Sequence, residues 1–578
     1  MWHYILFALI IVLSAWYLFL RTPKSIHNDA SLPPLPSPDP TLTAILLSKL
    51  QGQPEDWNEF DNPAIREKAL ISMIEKNGKT FLLHCQGDVK NALGTSPVIA
   101  TADPQLVKQI FLKKKHSTRR PRRMLLAQHL PGLDGILFQD GPKWERHSRT
   151  LKPVFHAKNF TQFTTKMREE ATKHIEMWST INQNSPISTH HLGEGRIAAL
   201  SSLRELSTSV ALHVGYGIDP ECEEGAALRV ALDGYDEKKR FRAAGQNICL
   251  LIKALFLVWM DARRIRNVVT KIVARIQGEE EVKMKEEKKK KTAATNTATD
   301  TINTINTTTN TTTDTTTNTT TTDATTTNNT TNTTNTTNTT NTTNNEKPET
   351  LSWIRQMVRA KFSILELSNE VGHLHHAHKA IAYMTSFALY ELGKHPIWQE
   401  NMCQEFETVL ENGRAPEKSD LSSLKICTSI WKETLRLHPI SLGVIREVGE
   451  DVETEVHGEM VTIPKGTMVS ILLYALHMDK DAWKSPEQFN PQRWIECDNT
   501  SAQSTMSDKG IRESFVPFLD GKRQCEGRFL AELEFVVFMW CLLKQHRVQV
   551  PDDYTFSIGP DFFPNASTPI PLMLVQRE

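Results

Sequence analysis

Phe518-Leu519-Asp520-Gly521-Lys522-Arg523-Gln524-Cys525-Glu526-Gly527 sets one cysteine in a basic, glycine-flanked loop directly ahead of an apolar run from Arg528 to Leu543. A thiolate is a strong, soft metal donor. Gly521 and Gly527 let the backbone turn tightly and let a flat cofactor approach without a Cβ in the way. Arg523 places a fixed positive charge two residues before the sulfur. The following run has helical length and few breakers, so the cysteine stands just before a helix, where the positive dipole end favours the thiolate. A lone cysteine among apolar residues is usually a buried structural thiol, but this spacing reads as a metal-ligand loop.

The rest of the composition narrows the setting. The 578 residues carry 67 basic and 67 acidic side chains, so nothing in the charge calls for nucleic acid. Twelve Trp and 23 Phe supply a sizeable core. Cysteines 85, 222, 249, 403, 427, 497, 525 and 541 show neither paired nor zinc-type spacing, which fits reduced thiols in a cytosolic catalytic domain.

Phe518, Gly521, Arg523, Cys525 and Gly527 together resemble the haem-binding loop of the cytochrome P-450 superfamily. The resemblance implies that Cys525 is the axial thiolate of haem b and that Arg523 pairs with a haem propionate. The family often has a second glycine straight after the phenylalanine, where this chain has Leu519. Two distant segments extend the likeness. Lys432-Glu433-Thr434-Leu435-Arg436 puts an acid and a base three apart on one helix face, by itself a common surface pair. In the family such a Glu-x-x-Arg pair is buried and completed by an arginine from a Phe-x-Pro-x-Arg segment, which Phe489-Asn-Pro-Gln-Arg493 supplies. Bidentate hydrogen bonding lets such a group of charges survive burial. Arg446, seven residues after Pro439, resembles a further propionate-binding arginine. Gly141 to His156 resembles the helix over one haem face: Trp144 matches, but Ser148 stands where an arginine is usual. His147 and Arg149 are each rotated about 100° from it, and neither is a clean substitute.

The chain in order gives the following organisation. Tyr4 to Leu20 is a 17-residue run, apolar but for Ser14, that reaches roughly 26 Å as a helix. It reads as a single-pass anchor (1–21), with Arg21 and Lys24 placing the catalytic domain on the cytoplasmic side of the membrane. A proline-rich hinge (22–42) follows, and the resemblance places the anchor in the endoplasmic reticulum. Residues 43–278 and 349–578 form the haem-binding catalytic domain. Between them, order is expected to end near Gly278, and 279–348 reads as a charged and then Thr/Asn-rich disordered insertion, with no apolar periodicity to offset the entropy of folding. Asp451 to His477 alternates and turns as paired strands would. The fold class is therefore mainly α with a small β region, the cytochrome P-450 fold, preceded by one transmembrane helix.

Ser363 to Lys394 predicts a long helix ending at Gly393 and Pro396. Tyr390-Glu-Leu-Gly-Lys-His-Pro resembles the end of the family's central helix, and ten residues before Tyr390 most members carry a threonine that hydrogen-bonds iron-bound dioxygen. This chain has Ala380 there, and Lys379 where an acid is usual. Alanine cannot relay a proton, so proton delivery falls to His378, Lys379, substrate or ordered water. The surrounding His373, His375, His376 and His378 invite a metal reading, against which solvated or hydrogen-bonded histidines weigh more heavily.

By the resemblance, the protein oxidises a lipophilic small molecule with dioxygen and two electrons from an NADPH-dependent reductase or other donor. Ala380 keeps open a second reading, a haem-thiolate enzyme that rearranges or dehydrates lipid hydroperoxides without a reductase. A non-catalytic membrane haem protein is the third.

Overall fold

The computed structural model describes residues 55–56, 66–84, 98–112, 134–137, 139–156, 159–181, 188, 191–234, 248–310, 352–456, 458–499, 513–554, 556 and 569–577. The proposed anchor and hinge lie outside these residues, as does the Thr/Asn tract after Asn310. Among the described residues no helix is long and apolar enough to cross a membrane.

The chain divides into two compact units, Met1–Lys271 with Leu351–Glu578, and Ile272–Thr350. In chain order the helices are α1 (Arg66–Asn77), α2 (Pro104–Leu112), α3 (Gly141–Leu151), α4 (Phe160–Ser179), α5 (Ala199–Val210), α6 (Glu223–Gly234) and α7 (Ile248–Asn310). They continue with α8 (Trp353–Arg359), α9 (Ile364–Lys394), α10 (Pro396–Val409), α11 (Lys425–Leu437), α12 (Leu473–His477), α13 (Gln492–Asn499) and α14 (Arg528–Leu543). Helix α7 runs on to Asn310, whereas the sequence predicts an end of order near Gly278. Alternating Glu and Lys, with pairs such as Arg275–Glu279 one turn apart, favour helix where no apolar face does.

The strands are β1 (Glu55–Asp56), β2 (Thr80–His84), β3 (Val98–Thr101), β4 (Ile197–Ala198), β5 (Val444–Glu447), β6 (Val452–Val456), β7 (Glu459–Ile463), β8 (Met468–Ile471), β9 (His546–Gln549) and β10 (Pro571–Gln576). They form sheets ordered β1-β2-β3-β8-β5, β4-β10-β9 and β6-β7. β3 and β8 are parallel, with Ile99 opposite Val469, and β5 closes antiparallel with Arg446 opposite Val469. The 451–477 segment thus contributes β6, β7 and β8, but Leu473–His477 is a buried helix where alternation predicts strand.

Helix α9 is the central rod. Ser363 and Glu366 close a capping box at its start. At its other end a Cβ on Gly393 would come within 2.6 Å of the Val550 side chain. Ala382, Met384, Phe387, Ala388, Leu389 and Leu392 are all buried, so its C-terminal half is apolar on nearly every side and must be packed all round. It packs on α5, α11 and α14. Trp431 of α11 lies 4.9 Å from the Phe535 ring of α14 and 6.3 Å from Phe518, which fixes the cysteine loop to the helical body.

Candidate functional site: a cysteine loop braced by a buried charge cluster

The loop closes on itself through backbone bonds. The Cys525 N–H donates to the Phe518 carbonyl at 3.0 Å, Gln524 N–H to Gly521 at 3.2 Å, and Asp520 accepts the Gly521 N–H at 2.6 Å. Gly521 has φ +70°, and a Cβ there would meet the Phe111 carbonyl oxygen at 2.1 Å, so both conformation and packing exclude any other residue. Gly527 is different. A Cβ there would make only ordinary contacts, 3.5 Å to Phe155 and 3.9 Å to the Cys525 Sγ, so the protein itself makes no such demand. Leu519 has φ +59°, a left-handed conformation that favours glycine, and its side chain packs against the sheet core.

Cys525 is exposed at its own surface but enclosed by the fold around it, as a side chain lining an internal recess is. Burial pushes its thiol up, against the opposing pull of the Gly527 and Arg528 N–H groups at the start of α14. A bound metal ion reverses that balance, because a coordinating thiol is deprotonated outright.

Two guanidiniums stand close by. Arg523 donates to Asp140 at 2.5 Å and lies 4.0 Å from the centre of the Trp144 ring. Arg446, buried in β5, is pushed down to about 10 by burial and by the neighbouring charge of Arg523, and it remains a cation at neutral pH. Asp140 is the carboxylate acting on both, which leaves one positive charge in surplus. Arg446 Nε and Arg523 Nη1 are buried without a hydrogen-bond partner. Unsatisfied cationic donors beside an accessible thiol fit a ligand that offers both a soft-donor-seeking metal and carboxylates, as haem does. Arg149 lies exposed on α3 and carries the solvated face, while Ser148 is buried. Nothing in the local sequence marks Asp140, one residue ahead of α3, as the partner of Arg523.

Farther along, Glu433 is the hub of a buried cluster. Its two oxygens accept from Arg436 Nε at 3.0 Å and Nη2 at 2.8 Å, from Arg493 Nε at 3.1 Å, from Trp494 Nε1 at 2.8 Å and from the Asn490 N–H at 3.0 Å. Arg436 gives its remaining donors to the carbonyls of Pro486, His477 and Gln488. Glu433 and Arg436 are 0% exposed and Arg493 9%.

On α9 the structure corrects one expectation. His378 is neither solvated nor hydrogen-bonded: it is buried, both ring nitrogens lack partners, and it lies 5.5 Å from the Trp353 ring. Burial pushes it down to about 4, which makes it a neutral aromatic filler at physiological pH. Lys379 and Ala380 are half-buried and Ala377 is exposed. Among the described residues no group of His, Cys, Asp and Glu is arranged to hold a metal ion.

The cytochrome P450 family model matches residues 88–345 and 350–560. The chain belongs to the cytochrome P450 family. It is 24% identical over 469 residues to cytochrome P450 4F5 of Rattus norvegicus, covering 79% of this chain and 76% of that protein. It is also 34% identical to cytochrome P450 27C1 of Danio rerio and 33% identical to the mitochondrial sterol 26-hydroxylase of Rattus norvegicus, over 30% and 28% of this chain and 30% and 29% of those proteins. It is thus a P450-type enzyme, its relatives are monooxygenases, and the family implies a haem iron cofactor.

Removing the Glu433 carboxylate leaves two buried guanidiniums uncompensated. Glu433→Ala is expected to cost about 3–5 kcal/mol, seen as loss of folded, haem-retaining protein on expression and in denaturant unfolding. At Leu519 the usual order of Ala over Gly reverses. Both variants lose the same apolar contact, but Leu519→Gly sheds a left-handed cost of about 1–2 kcal/mol per residue, so it should unfold at higher denaturant concentration than Leu519→Ala. The opposite order would show the loop's positive φ to be unstrained.

Proposed function

We propose that this P450 is a membrane-anchored monooxygenase that inserts one oxygen atom from dioxygen into a lipophilic small molecule, using electrons from an NADPH-dependent reductase. The observation that carries the reading is the accessible Cys525 thiol beside the unsatisfied donors of Arg446 and Arg523. In this reading Cys525 would supply the thiolate that holds the haem iron, Arg446 and Arg523 would hold the haem carboxylates, and Trp144 keeps Arg523 in place from its other face. Glu433, Arg436 and Arg493 hold the fold around that site. The bound haem supplies the oxidising chemistry. The apolar run Tyr4–Leu20 supports single-pass anchoring with the catalytic domain, 43–278 and 349–578, facing the cytoplasm from the endoplasmic reticulum. Residues 279–348 are a tolerated insertion. A sterol 26-hydroxylase and a steroid 17-alpha-hydroxylase among the relatives favour a lipid-like substrate.

Ala380 favours one other reading, the rearrangement or dehydration of lipid hydroperoxides, because that chemistry needs no oxygen-side alcohol to move a proton. The haem-loaded protein with reductase and NADPH should convert a lipophilic substrate and show a thiolate-type spectrum when reduced under carbon monoxide. Turnover with organic hydroperoxide alone would instead select the second reading. Ala380→Thr is expected to alter the share of NADPH electrons recovered in product, and an unchanged share would remove Ala380 from the proton path.

A further inference from the structure

The first half of α9 carries a buried acid–imidazole ladder on one face. Positions 366, 370, 373, 377 and 380 succeed one another by four and three residues and therefore share a face. Glu366 is at the solvent end, 20% exposed and paired at 2.8 Å with the exposed Arg146. Its Oε1 lies 3.7 Å from Nε2 of His147, a side chain of α3 that is 0% exposed. On the other edge of that ring, His147 Nδ1 is 2.5 Å from Glu370 Oε1, which also accepts the Ile136 N–H at 2.7 Å. His147 Nε2 and Glu370 Oε2 are buried without a hydrogen-bond partner. A turn further on stands the buried ring of His373, wedged so tightly that a Cβ on Gly135 would meet it at 2.0 Å. Beyond it the face changes character. Ala377 is exposed and Ala380 half-exposed, so this stretch borders space that solvent can enter.

A structural ion pair accounts poorly for this arrangement. His147 and Glu370 are bonded to each other, yet each keeps one buried polar atom unsatisfied, a cost to stability that a fully satisfied structural pair would not carry. The two orphaned atoms lie at opposite ends of the His147–Glu370 bond, one toward Glu366 and the surface. That is the layout of a relay with an entrance and an exit.

We infer that Glu366, His147, Glu370 and His373 conduct protons from bulk solvent along α9 to the water-accessible stretch at Ala377 and Ala380, in place of the acid and alcohol that this chain lacks at 379 and 380. His147 takes a proton at Nε2 and releases the one on Nδ1 to Glu370 Oε1. Glu370 turns about its side-chain bond to present that proton toward His373, and water beside the two alanines covers the last two turns, roughly 10 Å at 1.5 Å per residue. The transfer leaves His147 with its proton on Nε2, and a turn of the ring restores the Nδ1–H form before the next proton, so the net event is one proton moved inward. The inference rests on the monooxygenase reading, whose reaction consumes two protons as one oxygen of dioxygen leaves as water.

The test uses the full chain. In the haem-free protein, the infrared band of the Glu370 carboxyl group is isolated by subtracting the E370Q spectrum. It is expected to move when His147 is replaced by Gln, because the two groups share a proton, and an unmoved band would overturn the coupling. In the haem-loaded protein with reductase and NADPH, E370Q and H147Q should each lower product formation on the order of 10²-fold. Electrons should divert to hydrogen peroxide and the solvent deuterium isotope effect should rise, with the carbon-monoxide spectrum unchanged. Wild-type coupling and isotope effect in both variants would sink the ladder while leaving the monooxygenase intact. Hydroperoxide-only turnover by the wild type would overturn the monooxygenase and the ladder together.

Discussion

One carboxylate, that of Glu433, is shared by two arginines and an indole in the interior, and the loop-rich C-terminal third is organised around it. A single buried charge would be expelled or neutralised, and an Arg–Glu pair alone would leave donors unmet. Here Arg436 spends its surplus N–H groups on the carbonyls of Pro486, His477 and Gln488, so the cluster holds down irregular backbone that no sheet ladder could satisfy. Phe515 follows on from that platform, packing on Trp494 and Trp483, and the cysteine loop begins three residues later.

The cysteine side and the α9 side answer to different physics. The loop is defined by rigid backbone: Gly521 has no alternative against the Phe111 carbonyl, and Trp431 fixes Phe518 from below. On α9 it is polarity that is organised, with His147 and Glu370 buried as a bonded pair and His378 reduced to a neutral ring beside Trp353. The two histidines therefore divide by environment, His147 bonded to a buried carboxylate and His378 held neutral by burial with no polar partner for its ring.

Leu519 shows how a departure from a family pattern is absorbed. Its φ of +59° places it in the region glycine enters freely, and the packing of its side chain against the sheet core offsets that backbone cost. Gly527 presents the opposite case, a glycine for which no neighbouring protein atom asks. A requirement there comes from whatever binds beside the sulfur.

The loop, the charged cluster and the long helix were legible in the chain, because each is written in local spacing: Cys525 after two-residue steps from Arg523 and Gly521, Glu433 and Arg436 one turn apart, a helical run from Ser363 stopped at Gly393 and Pro396. The sequence placed Arg446, Arg523 and Trp144 on separate segments without showing how they meet. Only the tertiary structure decided that Asp140 completes the arginine pair, that His378 is dry, and that His147 faces Glu370 across two helices 223 positions apart. The reason is physical: protonation and hydrogen bonding depend on what long-range packing brings within about 3 Å, and neither periodicity nor spacing along one chain encodes that distance.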